Sequence, residues 1–298
     1  MAIRVATAPV SWGVMEVEGF GGQKPFGEVL DEMKRAGYDG TELGPYGFLP
    51  TDPKALRAEL ASRGLALLGA FVPLPLATPA RHEAGFQEAL KVGRLLADCG
   101  AGVVVLADEM SDARMSVSGR VSESDGLSEA QWRAAAALVS RTAAACSEMK
   151  LRAVFHHHVG TYVETPQELE RLCALTDPDL LGICFDTGHY YYGGGDPVEA
   201  VRKYRKRIRH LHFKDVRPAV LESARRDQVG FLDAVRRGIF CELGEGGVDL
   251  PGVVRELNQA GFDGWSVFEQ DVDPRDPNIR PFESAARSRK YLRDVIGI

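Results

Sequence analysis

Six of the seven histidines of this 298-residue chain fall between His156 and His212. His156, His157 and His158 stand side by side in AVFHHHVGT, and Asp186 and His189 share DTGH. His210, His212, Lys214 and Asp215 share HLHFKD, and Glu269 sits in VFEQD. Imidazole with carboxylate is the ligand chemistry of a divalent first-row ion such as Mn²⁺, Co²⁺, Fe²⁺ or Zn²⁺. Each residue alone has an ordinary reading: a core histidine, a turn-capping aspartate, a glutamate paired with an arginine. A metal site follows only if the chain brings all four segments to one point.

The surrounding pattern predicts that it does. Short apolar runs, IRVATAP, GTELGP, LALLGAFVPL, GVVVLADEM, RAVFHHH, LGICFDTGH, RHLHFKDV and GWSVFEQD, alternate with amphipathic segments such as PFGEVLDEMKRAG and LPGVVRELNQAG. Asp or Thr followed by Pro opens several of the latter, in TDPKAL, ETPQEL and GGDPVEA, and Gly closes them. Eight strands alternating with helices give an α/β fold, either a (β/α)8 barrel or a doubly wound sheet. No G-x-G-x-x-G follows the first strand, so the barrel is expected, as one domain over residues 1–298. Active sites of such barrels lie at the C-terminal ends of the strands. The last four strands all carry their ligand-type residues at that end, and neighbouring strands lie ~4.8 Å apart. Alternation puts His156 and His158 on one face and His157 on the other, against the helices. It likewise groups His210, His212 and Lys214 away from Asp215.

Glu42, ending the second strand, is a further acid, suited equally to base catalysis, substrate binding, or a cap or salt bridge. Trp12, just past the first strand, suits either a pocket wall under a sugar ring or the core. HYYYGGGDP reads as a loop with Asp196 as a helix N-cap. Two insertions interrupt the alternation: residues 111–126, rich in Ser, Gly and charge, and Pro218–Gly246, with an extra helix over 219–238. Both leave from the active end, either to cover the site or to build a subunit contact.

Bulk properties narrow the function classes. A net charge of −6 argues against a nucleic-acid binder, and the basic run RKYRKRIRH reads as a solvated helix face. No apolar stretch approaches membrane-spanning length, and no leader-like h-region opens the chain. Five cysteines without a C-x-x-C pair argue against a disulfide framework or thiolate metal site, and a cytoplasmic setting is expected.

HHHVGTYVETPQELERL, DTGHYYYGGGDP, HLHFKDVRPAV, GFLDAVRRGIFCELGEGGVD and GWSVFEQDVDP resemble the inosose dehydratase family, among the xylose-isomerase-like TIM barrels. The resemblance is specific over 150–275 and continues through GYDGTELG. It lapses at VMEVEGFGG and GAFVPLPL, after the first and third strands, where substrate is expected to be met. It implies a metal, Mn²⁺ or Co²⁺ in first place, held by His156, Asp186, His212 and Glu269. It also implies a small polyol or keto-sugar substrate and, by analogy, a homo-oligomer. Related ketose epimerases carry a glutamate where His156 stands. They move a proton between two carboxylates, whereas a dehydratase needs one base and one proton donor.

The resemblance therefore implies metal-dependent dehydration of a cyclic polyol ketone of the 2-keto-myo-inositol type, as in inositol catabolism. Glu269 or Glu42 removes the α proton to give an enediolate, and His189 or Lys214 protonates the departing hydroxyl, leading to a 1,2-dione. His158, Arg217 and Trp12 orient the substrate, and Asp215 supports a ligand from behind. The alternative is a metal-dependent ketose isomerase or 3-epimerase. A DNA phosphodiesterase needs a richer histidine set and a basic groove, and a non-catalytic polyol-binding barrel has no need of the ligand set.

Overall fold

The structure is a computed structural model and describes residues 3–15, 24–273 and 275–298. Its extended segments are β1 (Arg4–Thr7), β2 (Gly40–Thr41), β3 (Ala66–Leu67), β4 (Gly69–Leu74), β5 (Val103–Asp108) and β6 (Arg152–His156). They continue with β7 (Leu181–Asp186), β8 (Ile208–Phe213), β9 (Asp215–Val216), β10 (Phe240–Cys241) and β11 (Trp265–Phe268). One sheet runs in the order β3-β2-β1-β11-β8-β7-β6-β5-β4, and β9 pairs with β10 apart from it. Leu68 alone separates β3 from β4. Its N–H donates to the Thr41 carbonyl at 3.0 Å, and its own carbonyl accepts from Val103 at 3.2 Å. The two ends of the sheet are thus one strand, and the sheet closes into the expected eight-stranded parallel barrel.

The helices are α1 (Phe26–Arg35), α2 (Pro53–Arg63), α3 (His82–Cys99), α4 (Asp112–Ser116), α5 (Glu129–Glu148) and α6 (Pro166–Leu175). Then follow α7 (Thr187–Tyr192), α8 (Pro197–Tyr204), α9 (Pro218–Arg226), α10 (Phe231–Arg236), α11 (Leu250–Gln259) and α12 (Pro281–Tyr291). Asp52, Thr165 and Asp196 cap α2, α6 and α8 by accepting from backbone N–H groups of the first turn, each with Pro next. Outward strand residues such as Phe155, Phe185 and Phe213 pack with Leu30, Val139 and Leu169 of the helices. Inside the barrel, strand residues make small clusters of their own: Ala6, Ala8, Leu68 and Val267, then Val103, Val105, Val154 and Cys184.

Two local expectations are corrected. Tyr190–Tyr192 belong to helix α7 and are not loop, because Asp186 accepts from the His189 N–H and starts a helical turn directly at the end of β7. The single extra helix over 219–238 is two helices, α9 and α10, with Gln228 at φ 53° between them. That left-handed residue ends α9, and Gly230 restarts the chain as the N-cap of α10.

Candidate metal centre

The side-chain period of two carries the barrel from an apolar floor to a polar mouth. Val154 is followed on its face by His156 and His158, Cys184 by Asp186, and Val267 by Glu269 and Asp271. His210 is followed by His212 and Lys214. Asp186 pairs in register with His212, and His212 with Val267. His156, Asp186, His212 and Glu269 are all buried, and each offers a ligand atom within 4.8 Å of the others. His156 Nε2 lies 4.0 Å from Asp186 Oδ2, which lies 3.9 Å from His212 Nδ1, itself 3.2 Å from Glu269 Oε2. Ligands held tetrahedrally at zinc-like bond lengths stand about 3.4 Å apart, so small adjustments seat an ion.

Two of these side chains are tied down through a second atom. Asp186 Oδ1 accepts from the His189 N–H at 2.7 Å, while Oδ2 is buried with no hydrogen-bond partner among the described residues. His212 directs Nε2 to Glu42 Oε1 at 3.1 Å and leaves Nδ1 likewise without a partner. Glu42 Oε1 also takes His210 Nε2 at 2.7 Å. Asp186 and His212 are each anchored through one atom and present another, the usual construction around a metal, and His156 keeps a buried Nδ1 without a partner among the described residues. Burial pushes the Asp186 carboxyl up to about 6 despite Lys214 and His212 nearby, and burial holds the His156 imidazole far below its ordinary value. A neutral imidazole and a carboxylate short of positive charge are what a divalent cation satisfies. The residues fit a divalent metal.

Around this set the motif DTGH does four jobs. Asp186 is the candidate ligand, and Thr187 Oγ1 grips the Lys214 backbone, donating to its carbonyl at 2.7 Å and accepting its N–H at 3.0 Å. A Cβ at Gly188 would lie 2.7 Å from Lys214 Cβ, so only glycine lets that stem pass. His189 Nε2 meets Lys214 Nζ at 2.9 Å. The ammonium also donates to Asp271 Oδ1 at 2.9 Å and lies 3.3 Å from Glu269 Oε2. Burial opposes the charge on Lys214, and the carboxylates of Asp271, Asp186 and Glu269 outweigh it.

Above the cluster opens a cavity of about 410 Å³. Glu42, His156, His158, Lys214, Glu269 and Asp271 line its floor; Val10, Val14, Met15, Phe71, Met110 and Met115 are among its walls. The size suits one small molecule. His158 turns Nδ1 to the Val159 carbonyl at 2.6 Å, which makes its Nε2 an acceptor. Burial lowers its pKa to about 4, so it is neutral near pH 7.

A family profile described as xylose isomerase-like TIM barrel matches residues 30–295. An inosose dehydratase of Lacticaseibacillus casei is 34% identical over 100% of this chain and 99% of its own. The chain belongs to the inosose dehydratase family. The rhizopine catabolism protein MocC of Rhizobium meliloti is 38% identical over 92% of this chain and 83% of its own. In fold, the chain is similar to the IOLI protein, whose crystal structure has a binding zinc atom. The TM-score is 0.72 at 15% identity, over 99% of this chain and 98% of that one.

Against the family's expected site, the structure gathers His156, Asp186, His212, Glu269, Lys214, His158 and Glu42, with His189 behind Lys214. It does not gather Arg217 or Trp12. Arg217 is exposed and donates to the Gly238 carbonyl at 2.7 Å, because it sits at the start of α9, turned from the barrel axis. Trp12 is buried in the outer core, its indole N–H bonded to Glu32 Oε2 at 2.7 Å, and so takes the core alternative. Asp215 supports no ligand: it accepts backbone N–H groups of Val216, Gly244, Gly246 and Val248, fixing the turn after β10. His157 packs on Phe185 and Tyr190, as expected, and its Nε2 also accepts the Asp186 N–H at 3.3 Å.

Asp271 was missed, although it stands two residues beyond Glu269 and the period of two marks it. Asp108, which ends β5 in the cavity wall, was missed as well. Its carboxylate accepts from Leu76 and Tyr162 N–H groups and joins two active-end loops, and burial raises its pKa to about 7. Both insertions reach the site. Met115 of α4 lines the cavity, and Phe231 and Phe240 pack on the His189 ring at 6.2 and 5.4 Å. Of VMEVEGFGG, Val14 and Met15 line the cavity and residues 16–22 lie outside the described residues. GAFVPLPL supplies Phe71 and Pro73.

Proposed function

We propose that this protein dehydrates a cyclic polyol ketone of the inosose type, the activity that names its curated relatives. The observation that carries the chemistry is the convergence of His156, Asp186, His212 and Glu269 beneath a cavity that Lys214 also lines. These four residues hold a divalent ion, with Mn²⁺ or Co²⁺ proposed in first place. When bound, the ion supplies Lewis acidity toward the vicinal oxygens of a hydroxyketone and stabilises negative charge developing next to the carbonyl.

The chain's own groups supply the proton transfers. Glu269, in the cavity floor, takes the proton α to the ketone. Lys214 Nζ gives a proton to the β-hydroxyl, which leaves as water, and the resulting enol tautomerises to a 1,2-dione. His189, behind the cavity wall, steadies the ammonium. Glu42 acts as a positioning residue, since its Oε1 already serves two imidazoles. His158 Nε2 accepts a substrate hydroxyl, and the apolar walls receive the C–H face of the ring.

Proton NMR in D₂O of Mn²⁺-loaded protein with 2-keto-myo-inositol tests this reading. Loss of substrate signals with growth of a deoxygenated dione, abolished by EDTA, is expected. Deuterium exchange beside the carbonyl, with a new epimer and no water lost, would replace it with epimerisation.

A further inference from the structure

Beside the four-residue cluster lies another group with metal-ligand chemistry: His158, His189 and Asp271 each offer a ligand atom within 4.8 Å of the others. No protein cation other than Lys214 is recorded against this trio among the described residues. Its Nζ lies 2.9 Å from His189 Nε2 and 2.9 Å from Asp271 Oδ1. Glu269 links the first group to Lys214, since its Oε2 is 3.2 Å from His212 Nδ1 and 3.3 Å from Lys214 Nζ. Asp271 Oδ2 is buried without a hydrogen-bond partner among the described residues. Lys214 Nζ thus stands where a cation bound by the second group would stand, beside a carboxylate of the first and next to a buried donor oxygen left spare.

We propose that the Lys214 ammonium occupies a latent second cation position made by His158, His189 and Asp271, and thereby keeps the centre mononuclear. Charge explains why the position is worth filling. Four buried carboxylates, Glu42, Asp186, Glu269 and Asp271, line the site, so one divalent ion together with one ammonium leaves no positive charge to spare. Without the ammonium a negative charge is left buried and unpaired, and a second divalent ion is the species at hand to satisfy it. A tethered ammonium does not exchange with solution and takes no open coordination positions, so the substrate meets a single Lewis-acidic ion. This rests on the metal reading of the first cluster and is independent of which reaction is catalysed.

The test is metal content, with Mn²⁺ as the probe. Wild type, Lys214→Met and the double variant Lys214→Met/Asp271→Asn are dialysed against Mn²⁺, and bound metal per chain is measured by mass spectrometry. One ion in wild type, two in K214M and one in the double variant are expected, with an exchange-coupled EPR signal in K214M alone. A folded K214M that holds one ion overturns the proposal. Wild type titrated with excess Mn²⁺ gives a second measurement should K214M not fold: a second tight, spin-coupled ion overturns the proposal, and saturation at one supports it. Wild type that binds no ion overturns the metal centre and the second position together. Turnover is not read, so failure of the dehydratase reading leaves this result distinct.

Discussion

The two halves of the barrel divide the labour unequally. β6, β7, β8 and β11 and the turns after them supply His156, Asp186, His212 and Glu269, the proposed metal cluster, with Lys214 and His158 beside it. The first five segments supply walls: Val10, Val14, Met15, Phe71, Met110 and, among polar groups, Glu42 and Asp108. Coordination needs several atoms fixed within a few tenths of an ångström, and hydrogen-bonded parallel strands provide that. Apolar contact with a ring needs shape, which loops adjust at low cost. The candidate ligands are therefore concentrated on the later strands, and the apolar walls on the earlier segments.

His212→Ala breaks the second half most severely. It removes a proposed ligand and the bond that orients it, and stoichiometric metal is expected to be lost. Turnover is expected to fall about 10³-fold, the equivalent of several kcal/mol of lost Lewis-acid stabilisation. Metal retained at full stoichiometry would remove His212 from the cluster.

Glu42→Gln tests a link between the halves. Glu42 belongs to the first, but its Oε1 fixes the ring of His212 in the second. A roughly 10- to 100-fold loss of metal affinity is expected, read by competition with a chelator. Full affinity with turnover lost would make Glu42 the base instead.

Met110→Ala addresses the first half alone. Trimming a wall side chain is expected to raise KM several-fold, about 1 kcal/mol of lost apolar contact, with kcat and metal content kept. A change in metal content would show that wall and cluster are not separable as described.

The legible parts of the site share one property: each follows from local periodicity at a strand end. His156 and His158 were separable from His157, and His212 from Asp215, because alternation is set by the backbone whatever the rest of the molecule does. The same rule applied past Glu269 marks Asp271. The caps Asp52, Thr165 and Asp196 are local in the same way. Trp12, Arg217 and Asp215 were not legible, since each is decided by a partner far off in the chain. Glu32 takes the indole of Trp12, the Gly238 carbonyl takes the guanidinium of Arg217, and the turn after β10 takes the carboxylate of Asp215.

The family resemblance singled out the four candidate ligands, while the residues themselves gave the strand and helix alternation, the expected barrel and the face on which His156 and His212 lie. These depend on residue order and on a period of two. Only the tertiary structure decided that Glu42 grips His210 and His212 across the barrel, that His189 stands behind Lys214, and that Lys214 sits between two ligand clusters. Those facts depend on strand stagger, on which atom of each side chain is already bonded, and on which cation reaches a shared carboxylate. They are distances between residues as far apart as 42 and 210, and such distances exist only once the sheet has closed.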